Sequence, residues 1–586
     1  MAVTLFKDTT YSLSTLIEEI RRGEIALPDI QRPFVWSTAK VRDLFDSMYK
    51  GFPVGYLLFW ATGAESGARQ IGVDGKQAAP RLLIVDGQQR LTSLYAVLTA
   101  HKILREDYTE SRISLAFRPS DARFEVSDAA IERSSDFLPS ISVLWDAEGS
   151  RRQAVRSFLK RLGAHRGALS DEEADRLEDA IDRLYDLRNY PFKVVELGPE
   201  VDEEQVAEVF VRINSEGVTL NQADFILTLM SVFWEKGRRQ LEEFSRASKQ
   251  PSAGGSASPF NHFIQPQPDQ LLRVGVALAF RRAVLKHVYS ILRGKDLDTG
   301  IITPERREQQ FDTLREAQEY SLDLLNWHEY LKCLARAGFR SSRMISSQTA
   351  VVYTYVLWLT GRRDYGVSRA RLRDVMARWF FMAHTTSRYS SSPESTFEND
   401  LARLRNLEPG DSDGFCTTLD RTVSDTFTSD FWTITLPNEL GSSASKSPSL
   451  LAHLAALNIL DADVLFSRMK VRELLEPAVA SMKGLDRHHL FPRAYLKRVG
   501  VSDTKQVNQI ANMALLEWWE NIDISDAAPA DYWPEYERRM DADRLAAQMH
   551  WHALPPGWHE MLYPQFLDQR RRLMAAVVRE AFQRLA

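Results

Sequence analysis

Two adjacent histidines near the C-terminal end of the chain are the residues best suited to chemistry. His488 and His489 stand beside apolar residues such as Leu490, which indicate a packed segment and make two imidazoles hard to explain as core filler. Asn512 follows 23 residues after His489, and Asn521 follows nine residues after Asn512. Imidazole and carboxamide groups can supply a base and ligands for a divalent cation, and phosphodiester hydrolysis needs both.

The order His-His, Asn, Asn resembles the HNH, or ββα-metal, nuclease motif in the form found at the C-terminus of the GmrSD enzymes. In that form a His-His-x-Phe-Pro element precedes an Ile-Ala-Asn element and a later Asn, which residues 488–492, residues 510–512 and Asn521 match. Residues 529–533 match the Pro and aromatic residue that close the motif. The resemblance implies a strand, a turn, a second strand and a helix that bring these residues to one small cavity.

The resemblance also implies a role for each matched position. His489 would be the general base, and His488 and Asn521 would be the metal ligands. Asn512 would orient His489 by bonding to backbone across the hairpin. Mg²⁺ or Mn²⁺ suits a site with few protein ligands and open water positions, although His488 could also accept zinc or nickel. The alternatives are a retained but inactive fold and a hairpin whose histidines only bond to backbone.

The N-terminal part of the chain carries a second polar motif, Asp86 to Arg90, at a predicted junction of a strand and a helix. Residues 81–85 form a short apolar run that predicts a buried strand, and apolar residues recur at helical spacing after the motif. Upstream, Ser37 is predicted to cap a helix, and a strand is predicted at residues 56–60. The apolar faces of the two helices consist of Val41, Leu44, Phe45 and Met48 in the first and Leu91, Leu94, Tyr95 and Leu98 in the second.

The residues of this motif suit a phosphate, which binds at the exposed N–H groups of a helix start beyond a strand. Gly87 would let the backbone approach the ligand closely, and Arg90 could fork onto phosphate oxygens. Gln88 and Gln89 offer neutral hydrogen bonds, and Asp86 could hold a metal or a water. The alternative is a capped turn in which Asp86 accepts backbone N–H groups and Arg90 pairs with it.

Three segments in order, residues 30–36, 85–94 and 209–220, resemble the N-terminal domain of the GmrSD restriction enzymes. The resemblance implies an α/β domain related to the ParB and sulfiredoxin fold, which binds or hydrolyses GTP or ATP through Asp86 to Arg90. It also implies a sensor for modified DNA, with Gln31 and Arg32 close to the nucleotide.

Basic residues beside the histidine pair are the best-placed candidates for contacts with DNA. Arg487 and Arg493 share the sequence neighbourhood of the candidate nuclease site, so we expect them to contact phosphates. Arg570, Arg571 and Arg572, by contrast, are expected to open a C-terminal helix and to serve solubility.

The length of 586 residues exceeds what one hydrophobic core usually supports and predicts an α+β protein of several domains. Stretches rich in Ser, Gly, Ala and Pro near residues 250–259 and 441–448 mark approximate boundaries. We therefore predict a sensor domain at residues 1–248, a helical scaffold at 260–440 and an HNH nuclease domain at 450–586.

The composition excludes several classes of protein. A net charge of -5, from 74 basic and 79 acidic residues, means that any DNA binding must use local patches. The only cysteines, Cys333 and Cys416, have no spacing for a disulfide framework or a cysteine-ligated zinc site. No segment approaches the roughly 20 apolar residues that a membrane span needs. We expect a cytoplasmic protein without a membrane partner.

These features favour a modification-dependent DNA endonuclease or nickase of an anti-phage defence system, in which an NTP-binding sensor regulates an HNH nuclease. The expected partner is double-stranded DNA that carries either a modified cytosine, as for GmrSD, or a phosphorothioate linkage, as for the SspE effectors. Homo-oligomer formation stays open. The alternatives are a nucleotide-gated DNA-binding regulator with an inactive HNH domain and an HNH nuclease directed at RNA.

Overall fold

The computed structural model describes residues 5–26, 34, 36–61, 81–105, 110–145, 151–167, 169–201, 205–206, 209, 222–252, 254, 256–295, 303–476 and 486–586. The fold is of the mixed α+β class, as predicted, and divides into two compact units, Met1–Lys236 and Gly237–Ala586. The segments predicted as helical scaffold and as nuclease domain both lie in the second unit. Within the described ranges, no helix is both long and apolar enough to cross a membrane.

A mixed sheet forms the centre of the first unit. The strands of this unit are β1 (Phe6–Ser12), β2 (Ile25–Ala26), β3 (Leu57–Ala61), β4 (Leu82–Asp86), β5 (Lys102–Leu104), β6 (Glu110–Arg112), β7 (Leu115–Arg118), β8 (Arg123–Val126) and β9 (Pro191–Leu197). Five of them form one sheet in the order β1-β9-β3-β4-β2, in which β2 runs parallel to β4 and β3 runs parallel to β9. The other four form two antiparallel pairs, β5 with β6 and β7 with β8.

The first unit also contains helices. They are α1 (Leu13–Arg22), α2 (Thr38–Tyr49), α3 (Gln88–Thr99), α4 (Ala129–Arg133), α5 (Arg151–Arg166), α6 (Asp171–Tyr185) and α7 (Gln222–Phe233), with 3-10 turns at Ile141–Leu144 and Asp186–Asn189. The Ser37 cap is confirmed, since its Oγ accepts the Lys40 N–H at 3.3 Å. The predicted apolar faces of α2 and α3 are buried, and the strands predicted at residues 56–60 and 81–85 agree with β3 and β4 to within one residue.

Both faces of the sheet are apolar. One face packs against α1, α2 and α3 through a large core that includes Ile17, Phe45 and Phe59. The other face carries a smaller core that includes Leu58 and Leu197. Since the two faces are filled, the polar residues at the carboxyl end of β4 stand at the rim of the sheet, where a ligand can reach them.

The second unit is helical up to residue 476. Its helices in this part are α8 (Glu235–Ala247), α9 (Pro268–Phe280), α10 (Leu285–Leu292), α11 (Pro304–Ser321), α12 (Leu324–Arg336), α13 (Gln348–Arg363), α14 (Arg369–Thr385), α15 (Pro393–Ala402), α16 (Ser412–Thr426), α17 (Leu436–Glu439), α18 (Pro448–Ile459) and α19 (Val471–Leu474). A 3-10 turn at Ser342–Met344 and a π-helix at Phe431–Thr435 complete this part. Nearly every residue of α13 from Ala350 to Gly361 is buried, so this helix forms the centre of the unit.

A two-stranded hairpin and the helices around it make up the part that carries the histidine pair. The elements are β10 (Asp486–His489), α20 (Arg493–Arg498), α21 (Thr504–Val507), β11 (Met513–Leu516), α22 (Trp518–Ile524), α23 (Pro529–Arg538), α24 (Ala542–Trp551) and α25 (Tyr563–Gln583), with 3-10 turns at Ile510–Asn512 and Trp558–Glu560. β10 pairs antiparallel with β11, and α22 follows directly. This is the strand, strand, helix order that the resemblance implies.

The last helix, α25, contacts both parts of the second unit. Phe582, near its end, packs its ring against Phe427 and Trp432 beside the π-helix. Near its start, the Tyr563 hydroxyl donates to the Gln506 carbonyl at 2.7 Å. The helical part and the hairpin part therefore share one continuous support.

Candidate active site

The hairpin places the two histidines in different surroundings. His488 is opposite Ala514 and His489 is opposite Met513 in the antiparallel register. Successive strand residues point to opposite sides, and His488 is buried whereas His489 is half-buried. His489 is thus the more exposed of the two histidines.

His488 lies in an aromatic pocket under the strand. Its ring meets the Tyr532 ring edge-on, with 6.3 Å between the ring centroids. Tyr532 also ties α23 to β10, since its hydroxyl donates to the Leu490 carbonyl at 2.7 Å. The end of the strand that carries both histidines is thereby held against α23.

Asn512 clamps the backbone immediately after His489. It is fully buried, and its Oδ1 accepts the Phe491 N–H at 2.9 Å. Its Nδ2 donates to the Phe491 carbonyl at 3.1 Å and to the Val507 carbonyl at 2.9 Å. Its own carbonyl accepts the Leu490 N–H at 2.8 Å. These are backbone bonds across the hairpin of the kind that the resemblance implies for Asn512, while its effect on catalysis stays a prediction.

The ring of His489 has a side-chain partner of its own. Nε2 of His489 lies 2.9 Å from Oδ1 of Asn508, a half-buried residue between α21 and the Ile510–Asn512 turn. Asn508 is four residues before Asn512, so one short segment contacts both the ring of His489 and the backbone after it. Sequence reasoning assigned no role to Asn508.

Arg570 binds the segment that ends at Asn512. The prediction that Arg570 opens the C-terminal helix was wrong. α25 begins at Tyr563, so Arg570 lies inside the helix, and its side chain is buried. The guanidinium donates to the Ala511 carbonyl at 2.7 Å and to the His552 carbonyl at 3.1 Å. Burial lowers the pKa of Arg570 to about 9. A basic run alone could not show that one arginine of three is buried.

Two further histidines lie close to Arg570, and their pKa values are lowered. Burial, helped by the Arg570 charge, lowers the pKa of His453 to about 3. Burial likewise lowers the pKa of His552 to about 4, although the ring nitrogen Nε2 lies 2.9 Å from the Asp463 carbonyl. Both are neutral parts of the core under the hairpin.

The binding of a magnesium or manganese ion by His488 and Asn521 stays a prediction. Asn521 lies on α22, which packs against β10, the strand of His488. One imidazole and one carboxamide leave most positions of an octahedral ion to water and phosphate. Among the described residues, no three His, Cys, Asp or Glu side chains cluster around a cation position. The side chains of Asn521, Asp486 and Arg487 lie outside the description.

The second candidate site is the junction of β4 and α3. Gly87 is buried there with φ of +90°, and a Cβ at this position would overlap the Leu57 side chain. Only glycine fits, because the backbone is left-handed and the neighbouring strand is in contact. Gln88 and Gln89 begin α3 and are half-buried.

Arg90 is held by the protein's own oxygen atoms. Its Nη1 donates to the Val54 carbonyl at 2.6 Å, and its guanidinium lies 3.7 Å from the Asp86 carboxylate. Burial lowers the pKa of Arg90, and the Asp86 charge opposes this shift. A Cβ on Gly55 would lie 2.7 Å from Nη1, so the chain passes closely over the guanidinium. The ion pair of the capped-turn alternative is therefore present.

The structure describes some, but not all, of the residues that were predicted to contact DNA. Gln31 and Arg32 lie outside the described residues. Arg493 is exposed at the first position of α20, and Lys497 is exposed on the same helix. Arg498, also exposed, donates to the Asp526 carboxylate at 2.7 Å. An exposed basic surface thus starts four residues after His489.

A comparison with known proteins finds a family match in the first unit and a relative that matches most of the chain. Residues 13–231 match the N-terminal domain of the GmrSD restriction endonucleases. The matched range contains the whole β4–α3 junction and supports a restriction-endonuclease type of defence protein that acts on DNA. An uncharacterized protein of Methanocaldococcus jannaschii is 21% identical over 563 residues, which cover 89% of this chain and 86% of that protein. The similarity to that relative therefore extends over both units.

Proposed function

We propose that this protein is a modification-dependent DNA endonuclease or nickase of an anti-phage defence system. In this proposal the first unit senses the modification and binds GTP or ATP, and the hairpin of the second unit cuts DNA as an HNH-type nuclease. The observation that carries the nuclease part is the Asn512 clamp, which fixes the backbone after the accessible His489. The family match of the first unit supports the restriction context.

In the proposed cutting step each matched residue has one role. His489 takes a proton from a water molecule, whose oxygen attacks the phosphorus while the bond to the leaving oxygen breaks. His488 and Asn521 would hold a Mg²⁺ or Mn²⁺ ion, which when bound neutralises charge on the scissile phosphate and the leaving oxygen. Asn512 keeps His489 in register by holding the strand end, and Arg493 contacts a neighbouring phosphate.

The nucleotide would lie at the start of α3. Gly87 lets the phosphates approach the first N–H groups of the helix, and Gln88 and Gln89 add neutral hydrogen bonds. Arg90 holds the chain at Val54 and pairs with Asp86, so a phosphate that binds there competes for the guanidinium. Gln31 and Arg32 would contact the modified DNA, whose mark is a phosphorothioate linkage or a modified cytosine.

Plasmid cleavage tests this proposal. Supercoiled plasmids with phosphorothioate linkages, with hydroxymethylated or glucosylated cytosine, and without modification would be incubated with the full chain, Mg²⁺, and GTP, ATP or neither. We expect nicks or breaks in one modified plasmid only, and their loss in His489→Ala. His550→Ala is the matched control, because His550 is exposed and pairs with Glu580 on the surface.

Two outcomes would replace the proposal. DNA binding that depends on the nucleotide, without a nick under any condition, would show a DNA-binding regulator. Cleavage of a structured RNA but of no plasmid would show a nuclease directed at RNA.

A further inference from the structure

The hydrogen bond between His489 and Asn508 defines the protonation pattern of the histidine ring. Oδ1 of Asn508, 2.9 Å from Nε2 of His489, has lone pairs and no hydrogen. In this orientation of the Asn508 amide Nε2 donates, and in the neutral ring Nδ1 then carries the lone pair. A neutral imidazole without such a partner exchanges between two tautomers, of which only one presents a basic Nδ1.

We infer that Asn508 is a positioning residue for the base of the candidate nuclease. It holds the hydrogen of His489 on Nε2 and fixes the rotation of the ring, so that Nδ1 is the atom that takes the proton from water. The inference deepens the proposed function and depends on it for its catalytic meaning. The contact itself stands on geometry alone.

Asn508 is well held for this task. It follows α21, whose start is capped by Asp503 through the Lys505 N–H at 2.8 Å. The carbonyl just before Asn508 accepts Nδ2 of Asn512 at 2.9 Å. The backbone that leads into Asn508 is thus fixed before any DNA binds, which lowers the cost of orienting the base.

The two asparagines have separate tasks. Among the described residues, the side chain of Asn512 bonds to backbone and fixes where the strand carries His489, whereas Asn508 bonds to the ring and fixes which nitrogen is basic. Loss of Asn508 should therefore disturb the ring while the hairpin stays intact. This difference makes the inference testable.

A double-mutant cycle measures whether Asn508 acts through His489. We expect Asn508→Ala to lower kcat for plasmid cleavage by about 10- to 100-fold, the usual loss for a residue that orients a ligand or a base. KM for DNA should not change. In a His489→Ala background the same substitution should cause no further loss, because its target is absent. Gln506→Ala, an exposed side chain two residues away, is the matched control.

A loss that is equally large with and without His489 would show a purely structural role and overturn the inference. An unchanged kcat in Asn508→Ala would overturn it as well.

The tautomer can be observed without any cleavage. Histidine labelled with ¹⁵N would be recorded in the full chain at about pH 8.5, where exposed imidazoles are neutral, and the His489 signals assigned by their absence in His489→Ala. We expect a protonated Nε2 and an unprotonated Nδ1 in the wild type, and a mixture in Asn508→Ala. A wild-type His489 with its hydrogen on Nδ1 would overturn the inference, even if Asn508→Ala failed to fold. If the Asn508-dependent tautomer were found in a protein that cuts no nucleic acid, the proposed function would fail and the positioning contact would stand.

Discussion

Replacement of Asn512 by alanine tests the clamp that holds the strand of the histidine pair. The substitution removes three side-chain hydrogen bonds, one from the Phe491 N–H and one each to the Phe491 and Val507 carbonyls. At about 1 kcal/mol for each buried bond, the local loss is about 3 kcal/mol. A free-energy change of that size makes local opening of the strand end about 100-fold more frequent.

Hydrogen exchange measures this opening directly. Mass spectrometry of peptides that span residues 486–492 should show exchange at the Leu490 and Phe491 amides about 100-fold faster in Asn512→Ala. Asn458→Ala is the control, because Asn458 is also buried and donates to the Gly338 carbonyl at 2.7 Å, in the helical part of the same unit. It should leave these amides unchanged. Exchange in Asn512→Ala within about threefold of the wild type would refute the clamp.

Three further results are expected from the packing and the charges. Gly87→Ala should lower the stability of the first unit by about 2 kcal/mol or more, seen as a lower melting temperature, because it strains a left-handed residue against Leu57. The pKa of His552 is about 6.5 in the unfolded chain and about 4 in the folded protein, so the free energy of unfolding decreases as the pH falls through that range. Calorimetry should find that acid lowers the melting temperature less in His552→Asn than in the wild type. Replacement of Arg493 and Lys497 by alanine should weaken DNA binding for all sequences and reduce the salt slope by about 2.

Local sequence signals predicted the elements that surround both candidate sites. Ser37 and the spacing of Val41 and Phe45 predicted α2, and the apolar run before Asp86 predicted β4, because these signals act over a few residues. The resemblance of residues 488–492 and 510–512 to the HNH motif implied a strand, a second strand and a helix, and β10, β11 and α22 follow in that order. Such patterns need no knowledge of the rest of the chain.

The contacts that complete the hairpin site could not be read from the sequence, because they join distant residues. Arg570 reaches the Ala511 carbonyl across 59 positions, and nothing in a run of three arginines shows which one is buried. Asn508 reaches His489 across 19 positions, although its place in the segment that ends at Asn512 is a signal that could have drawn attention to it.

Sheet order is equally hidden from local patterns. β9 inserts between β1 and β3 from more than a hundred residues downstream, and its register with β1 is set by tertiary pairing such as Lys7 with Glu196. The buried Glu196 carboxylate accepts the Tyr11 hydroxyl at 2.6 Å and pairs with Lys7 at 2.8 Å. Local sequence patterns do not show such pairing.

The rate of plasmid cleavage by wild type and by His489→Ala tests the central claim most directly. The measurement uses modified plasmid with Mg²⁺ under single-turnover conditions, so that DNA release does not limit the rate. We predict that the wild type cuts and that His489→Ala is slower by about 100- to 10,000-fold, the contribution of a general base. Equal cleavage by the two proteins would contradict the assignment of His489, and no cleavage by the wild type would contradict the nuclease itself.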